Sequence, residues 1–481
     1  MFETSGRKIS SSRVRQINTP RFILVKERKD KTPLFLEYEE IKYKISGIED
    51  HWLVKDRWWT DKPIYRSYYR VATLDQNIFD PFAADTIANP YLDLAKLRSV
   101  EPVSWNEPLK GWLLTTYDEV KAAQRDQRLS AERVKPFTEH MAATNRPELK
   151  KMGELLNQWL LFRDPPAHTP LRRLLIDTFT PRAIEELRPR IGEIVDELLL
   201  PVIRSNQFDM ISDFAFPMPA TVIAHILGVP PSDVPKFRNW SNDLATVIGN
   251  SRQVSDRFER GSQALFTLTD YFNKTVFNRR KARNKGMLID DLIEAQDSGG
   301  PMSKDELIAS CILILFAGHE TTMNLIGNAT VLLLKNPNQL ALLEEDQNLI
   351  PSMVEEVLRY ETAAFVIVRV ADEDLEILGQ KIAKGDRVFL MLGAANRDPS
   401  HFENPEEFQI QRKPNRHLSF GYGIHFCIGA ELARVEAEIA FSRLLPLIGD
   451  VELVSENLDW DDNFVLRGVK SLLLRKRPGL A

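Results

Sequence analysis

The most informative stretch of the chain is residues 420–429, which read Phe420-Gly421-Tyr422-Gly423-Ile424-His425-Phe426-Cys427-Ile428-Gly429. Cys427 is one of only two cysteines in 481 residues, which excludes a disulfide framework. A helical pattern begins after Gly429, so Cys427 lies just before a predicted helix N-terminus, where amides and the helix dipole favour a thiolate. The glycines let the backbone pass close to something large and flat. A thiolate without a cysteine partner indicates a metal ligand.

This stretch resembles the cysteine-ligand loop of the cytochromes P450, Phe-Gly-x-Gly-x-His-x-Cys-x-Gly, and fills every fixed position of that pattern. The resemblance implies that Cys427 is the axial ligand of haem b (iron-protoporphyrin IX). It also implies that Phe420, Gly421, His425 and Gly429 contact this cofactor, with His425 donating to a propionate. A thiolate ligand pushes electron density onto the iron and favours O–O cleavage. Taken alone, Cys427 would more often be an inert cysteine before a helix.

The composition is typical of a globular protein, with 43% hydrophobic and 27% charged residues. The net charge of −5 gives no overall attraction to nucleic acid or to an anionic membrane. The first residues lack the apolar core of a signal peptide, and no run of about 18 apolar residues predicts a membrane span. Two cysteines suit a reducing compartment. We therefore expect a cytoplasmic protein without a membrane anchor.

Residues 1–76 differ from the rest in charge and aromatic content. They carry 16 Lys and Arg against 11 Asp and Glu, a net charge of +5, whereas the remainder carries −10. Short apolar runs between turns predict a small β module of four or five strands. Its Trp-Trp-x-x-x-Pro-Ile-x-x-x-Tyr-Tyr pattern, beginning at Trp58, weakly resembles an uncharacterised module found beside translesion DNA polymerases. Basic charge among aromatics is compatible with nucleic-acid contact, but a small domain with an aromatic core is the favoured interpretation.

The P450 resemblance covers residues 77–481, about five-sixths of the chain. This part begins with a predicted helix over 81–98 and a predicted hairpin over 103–115. His168 and Arg172 lie four residues apart on one predicted helical face, and such a pair of donors suits a carboxylate. They match the family's His-x-x-x-Arg site for a haem propionate. The resemblance assigns the second propionate arginine to Arg369.

A long apolar helix is predicted from Ser303 to Lys335, opened by a capping box of Ser303 and Glu306 and ended by Pro337. At 1.5 Å per residue it would be about 48 Å long and could cross the whole domain. Its middle interrupts the apolar pattern with the polar run Ala317-Gly318-His319-Glu320-Thr321-Thr322.

This run resembles the family's segment above the haem, Ala-Gly-x-(Asp/Glu)-Thr-(Thr/Ser). Glu320 and Thr321 then match its acid–alcohol pair, and Ala317 contacts the cofactor. Reduction of O₂ needs two protons in a largely dry pocket, and a carboxylate and a hydroxyl linked by water can relay them. The Thr321 hydroxyl can also reach the Ala317 carbonyl, four residues earlier. Without the cysteine loop, a buried helix with a polar defect would be an equally good interpretation.

Glu356 and Arg359 lie three residues apart on a predicted helix, so they can form an ion pair. They match the family's Glu-x-x-Arg, and Arg412 fits the third member of that network, whose implied role is structural. The family usually has Asp after the Phe that corresponds to Phe408. Gln409 stands there in this chain, so the conformation of the local turn is left open.

The resemblance implies a cytochrome P450 fold, mainly α with small β-sheets, over residues 77–481, preceded by the β module of residues 1–76. It implies a haem-thiolate monooxygenase that inserts one oxygen atom from O₂ into an apolar small-molecule substrate. Two cysteines cannot hold an iron–sulfur cluster, so NAD(P)H-derived electrons are expected from a separate ferredoxin-type protein with its reductase. A monomer without nucleic acid is expected. Two alternatives stay open: a peroxide-driven peroxygenase, and a haem-thiolate sensor whose N-terminal module contacts nucleic acid.

Overall fold

The computed structural model describes four strands within residues 24–73 and the residues 79–143, 146–249, 254–282 and 287–477. The chain forms two compact units, 1–78 and 79–481.

The first unit contains an antiparallel sheet. Its strands pair in chain order and are β1 (Leu24–Glu27), β2 (Pro33–Tyr38), β3 (Ile41–Asp56) and β4 (Ile64–Thr73). The β-rich character predicted from the sequence is thus found, with four strands. Trp58 and Trp59, which open the aromatic pattern, lie outside the described residues.

The second unit is mainly helical. Its helices are α1 (Ala84–Ala88), α2 (Tyr91–Val100), α3 (Tyr117–Ala123), α4 (Lys135–Ala143), α5 (Pro147–Leu156), α6 (His168–Thr178), α7 (Pro181–Arg204), α8 (Pro217–Ile226), α9 (Val234–Ile248), α10 (Arg257–Ala282), α11 (Leu288–Asp297), α12 (Lys304–Lys335), α13 (Pro337–Glu345), α14 (Ile350–Tyr360), α15 (Leu392–Ala395) and α16 (Ala430–Gly449). Its strands are β5 (Val103–Asn106), β6 (Gly111–Leu114), β7 (Leu129–Ser130), β8 (Gln207–Asp209), β9 (Val366–Ala371), β10 (Leu375–Ile377), β11 (Gln380–Ile382), β12 (Arg387–Met391), β13 (Val451–Leu453) and β14 (Leu473–Lys476).

Three small sheets accompany these helices. The largest has the order β5-β6-β12-β9-β7, in which β12 pairs parallel with β6 and antiparallel with β9. The other two are β13-β14-β8 and the hairpin β10-β11. The predicted hairpin is confirmed as β5 and β6. The single helix predicted over 81–98 is wrong, because Asn89 and Pro90 separate α1 from α2 and proline cannot donate the backbone hydrogen bond that would continue α1.

Helix α12 forms the centre of the hydrophobic core and packs against α8, α10 and α16. Its predicted capping box is confirmed: the Ser303 hydroxyl accepts from the Glu306 amide at 3.2 Å, and the Glu306 carboxylate accepts from the Ser303 amide at 2.7 Å. By length and composition α12 could cross a membrane, but 67% of its apolar window is buried inside the fold. It is therefore a core helix, and it runs unbroken through the polar residues at its middle.

Candidate active site

The cysteine loop is shaped by two glycines with left-handed backbone angles. Gly421 has φ +73° and Gly423 has φ +77°, a region that L side chains rarely adopt. The Cys427 amide then donates to the Phe420 carbonyl at 2.8 Å, which closes the loop. Helix α16 begins at Ala430, so Cys427 lies at its N-terminal end, as predicted.

Part of the surface of Cys427 is accessible, but many protein atoms lie around its thiol and desolvate it. The thiol therefore faces a space within the fold and not the outer surface. Burial raises its pKa, although a hydrogen bond from the Gly429 amide and the charges of Arg172 and Arg434 act in the opposite direction. The amide at the start of the helix favours the thiolate, as expected from the sequence, while burial opposes it. A bound metal ion would deprotonate such a thiol outright.

Four basic side chains meet beside this thiol, and we call His168, Arg172, Arg369 and His425 the open cluster. The two histidine rings lie 4.4 Å apart between centroids. Arg172 donates to the Phe426 carbonyl at 2.6 Å, and Arg369 is 6% exposed. Burial, reinforced by the neighbouring cations, lowers the pKa of His168 to about 4 and that of His425 to about 3. Burial also lowers the pKa of Arg369 to about 10.

The open cluster lacks the anions that would balance it. The Nε2 atoms of His168 and His425 are buried and have no hydrogen-bond partner within the described part of the chain. Among the described residues, Asp164 is the one carboxylate whose charge acts on His168 and Arg369, and it already accepts from Ser130 and Ala131. Buried charges require compensation. The donor set therefore fits a dianion, and the two propionates of haem are of this kind.

One face of α12 is open in the middle of an otherwise buried helix. Ala317 is exposed, and Leu313, Ile314 and Thr321 are partly exposed. These residues are spaced by three or four, so they share one face, and that face lines a space within the fold. The Thr321 hydroxyl donates to the Ala317 carbonyl at 2.8 Å, as predicted.

The side chain of Glu320 points in a different direction from that of Thr321. Its carboxyl is buried, its Oε1 has no hydrogen-bond partner, and this atom lies 3.3 Å from Nε2 of the fully buried His319. His319 Nδ1 lies 2.6 Å from the Leu315 carbonyl, which can only accept, so Nδ1 carries a hydrogen. The structure thus places Glu320 and Thr321 side by side in the chain, with the carboxyl turned towards His319 and the hydroxyl at the open face.

A second buried acid was missed by the sequence analysis. Glu436 on α16 is fully buried, and neither carboxyl oxygen has a hydrogen-bond partner of normal geometry among the described residues, although the Thr322 hydroxyl lies near enough to lower its pKa slightly. Burial holds the pKa of this carboxyl well above its usual value and so favours its protonated form. The sequence pattern that could have predicted this burial is the position of Glu436 four residues after Leu432 and four before Ala440, on an apolar face of the helix.

Glu356, Arg359 and Arg412 come together as predicted, and we call them the closed network. Glu356 and Arg359 are fully buried and joined by two contacts of 2.8 Å, while Arg412 Nε lies 3.1 Å from both Glu356 oxygens. The remaining Arg359 donors reach the backbone carbonyls of Asn396, Pro405 and Glu407. The Gln409 amide donates to Glu356 at 2.9 Å, so the turn forms without the usual Asp.

Comparisons with known proteins agree with this geometry. The sequence model of the Cytochrome P450 family matches residues 134–447. The polyketide biosynthesis cytochrome P450 PksS of Bacillus subtilis (strain 168) is 36% identical over 413 residues, covering 83% of this chain and 98% of that protein. The 6-deoxyerythronolide B hydroxylase of Saccharopolyspora erythraea is 37% identical over 400 residues, covering 80% and 95%. The crystal structure of P450BioI in complex with hexadec-9Z-enoic acid ligated acyl carrier protein has a TM-score of 0.76 at 37% identity, covering 82% of this chain and 100% of that chain.

These relatives confirm the fold class predicted from the sequence, and they do not favour the peroxygenase or sensor alternatives. Members of the family hold a haem iron through a cysteine thiolate, use O₂ and receive electrons from redox partners. The chain belongs to the cytochrome P450 family and is a haem-thiolate monooxygenase.

Proposed function

We propose that Cys427 supplies the thiolate and that the open cluster holds the two haem propionates. The observation that carries this proposal is the group of two arginines and two histidines beside the thiol, in which both histidine Nε2 atoms have no partner among the described residues. When bound, the haem supplies O₂ activation, which its thiolate ligand promotes. Phe420, Gly421, Gly429 and Ala317 are assigned to the cofactor's surroundings. An added Cβ at Gly429 would meet nothing within 4 Å, in keeping with a large group beside it.

Thr321 and Glu320 are assigned to proton delivery. The Thr321 hydroxyl stands on the open face of α12, where it can hold a proton close to the reacting oxygen. The Glu320 carboxyl is buried beside His319, so it must rotate or use a bridging water to reach that hydroxyl. Keeping the acid inside the helix packing limits the entry of bulk water and directs protons through the hydroxyl.

The test is the yield of product per NAD(P)H consumed, with peroxide measured alongside. Positioned acids and bases contribute about 10²–10⁴-fold, so Thr321→Ala and Glu320→Gln are expected to lower the yield strongly and release peroxide, while haem binding persists. Thr330→Ala is the matched control, because Thr330 makes the same hydroxyl-to-carbonyl bond on α12 at 2.9 Å. Wild-type yield in both site variants would defeat the relay and reopen the peroxygenase alternative.

We infer that electrons pass from NAD(P)H through a separate ferredoxin-type protein and its reductase. Two cysteines are too few for an iron–sulfur cluster within this chain. Lys121 and Arg125 lie 4.9 and 5.2 Å from the Tyr422 ring, so basic groups stand against the cysteine loop, where an acidic partner could dock. We propose a cytoplasmic monomer. Turnover with a ferredoxin and reductase, but not with either one alone, is the expected result.

We propose that residues 1–76 form a separable module. The support is the change in charge and aromatic content near residue 77. A chain that begins at Gln76 should fold and bind haem, and loss of haem binding would make the module part of the haem domain. Nucleic-acid binding by residues 1–76 should be measured across salt concentrations, because phosphate contacts weaken as salt rises.

A further inference from the structure

Arg133 lies beside the open cluster but was not assigned a role by the sequence. It follows strand β7, in which Ser130 pairs with Val370 of β9, the strand that carries Arg369. Its guanidinium lies 5.0 Å from the centre of the Phe162 ring, and the residue is partly buried. Arg133, three residues after β7, and Arg369, on β9, are thus held in the same part of the fold.

The Arg133 guanidinium has no acceptor among the described residues: no hydrogen bond or carboxylate reaches it. Asp164 is occupied by the Ser130 hydroxyl at 2.5 Å and the Ala131 amide at 3.1 Å. Burial lowers the pKa of Arg133 to about 10, and repulsion from Arg369 adds to this effect. A desolvated cation next to a second cation is unfavourable unless an anion joins them.

The simpler explanation is that the Phe162 ring alone satisfies Arg133. Such a cation–π contact is a modest attraction, and it leaves the guanidinium donors without acceptors. It also does nothing to offset the repulsion from Arg369, because a ring carries no net charge. A negative group that accepts hydrogen bonds would relieve both effects at once.

We propose that Arg133, together with Arg369, forms a receptor for a carboxylate. The planar guanidinium fork binds a carboxylate through two parallel hydrogen bonds, so the chemistry selects this class of anion. The proposal rests on the proposed haem site, and the carboxylate has two possible sources. It is either a haem propionate or the carboxylate of an acidic substrate.

Binding at Arg133 would also anchor the adjacent helix. Arg133 precedes α4 by two residues, and α4 has no buried side chain among those described; Phe137, on its first turn, stacks on Phe258 of α10 at 5.7 Å. A carboxylate held by Arg133 would tie the start of this loosely packed helix to the sheet. Binding of the carboxylate at Arg133 would therefore make the start of α4 better ordered.

The first arm of the test measures haem release to excess apomyoglobin from Arg133→Leu, Arg133→Lys and Arg369→Leu. If the source is a propionate, Arg133→Leu is expected to release haem about 10- to 100-fold faster, with a smaller change in Arg133→Lys, which keeps the charge but loses the fork. Lys135→Leu is the control, since Lys135 is exposed and, among the described residues, pairs with Glu132 alone. Arg133→Gln serves if the leucine variant does not fold.

The second arm titrates wild type and Arg133→Leu with dodecanoic acid and with dodecanol, followed by the haem spin-state shift. If the source is a substrate, the variant loses affinity about 10- to 100-fold for the acid but not for the alcohol, and haem release is unchanged. The proposal is overturned if Arg133→Leu releases haem at the wild-type rate and also shows no loss of affinity that is specific to the acid. Failure of wild type to bind the acid counts as no such loss. Failure of the haem site itself is distinguishable, because Arg369→Leu would then release haem at the wild-type rate.

Discussion

The closed network and the open cluster both contain buried arginines, but they differ in what their donors reach. In the closed network Arg359 and Arg412 share Glu356, and the remaining Arg359 donors reach backbone carbonyls. In the open cluster the histidine Nε2 atoms have no partner among the residues that the structure describes, and the neighbouring arginines lower the pKa of His425. A buried network that is complete within the protein supports the fold, whereas one that is incomplete indicates where a ligand binds.

The largest expected effect comes from breaking the closed network. Glu356→Gln leaves two guanidinium groups without their carboxylate, and removal of one partner from a buried ion pair costs about 3–5 kcal/mol. We expect the free energy of unfolding of the cofactor-free chain, measured in urea, to fall by this amount. Glu186→Gln is the matched control, because its pair with Arg182 is exposed and its loss should cost less than about 0.5 kcal/mol. Equal effects in the two variants would remove the distinction between the networks.

Removing a cation from the open cluster should have the opposite effect on the stability of the cofactor-free chain. Arg369→Leu removes a buried cation whose one nearby carboxylate among the described residues, Asp164, already accepts from Ser130 and Ala131, so the free energy of unfolding without haem should stay constant or rise. Haem affinity should fall, since a charge-assisted hydrogen bond is worth about 1.5–3 kcal/mol, or about 10- to 100-fold. Haem titration and urea unfolding of the same preparation test both parts. A destabilised free chain with unchanged haem affinity would show that Arg369 serves the fold instead.

The smallest expected effect concerns Glu436, a buried acid that belongs to neither the closed network nor the open cluster. Its pKa is raised in the folded chain, so its contribution to stability is complete below the unfolded pKa of about 4.3 and is lost as pH rises through the folded value. Relative to Glu436→Gln, which cannot ionise, wild type should therefore lose stability as the pH rises. Urea unfolding at several pH values measures this, with Glu431→Gln as the exposed control on α16. Parallel stability curves for wild type and Glu436→Gln would show that Glu436 is not held neutral.

The sequence predicted those features that depend on nearby residues. The capping box of Ser303 and Glu306, the pairing of Glu356 with Arg359, and the Thr321 bond to Ala317 each join groups three or four residues apart. Helix geometry alone fixes such contacts.

The features that escaped prediction depend on packing between distant elements. The isolation of Glu436 depends on α16 packing against α12, and the position of Arg133 depends on the pairing of β7 with β9. The raised pKa of Cys427 likewise reflects the protein that encloses the loop, which outweighs the effect of the helix N-terminus. Desolvation is a sum over the whole surrounding fold, and a local sequence pattern does not contain it.

The most direct test of the account is the absorption spectrum of the reduced, CO-bound protein. Wild type should show the strongly red-shifted Soret band of a thiolate-ligated haem. Cys427→Ala should lose this band, and Cys311→Ala should keep it, because burial raises the pKa of Cys311 to about 12 and leaves that thiol protonated. A histidine-type CO spectrum in wild type, or a thiolate band that persists in Cys427→Ala, would contradict the assignment of Cys427 as the iron ligand.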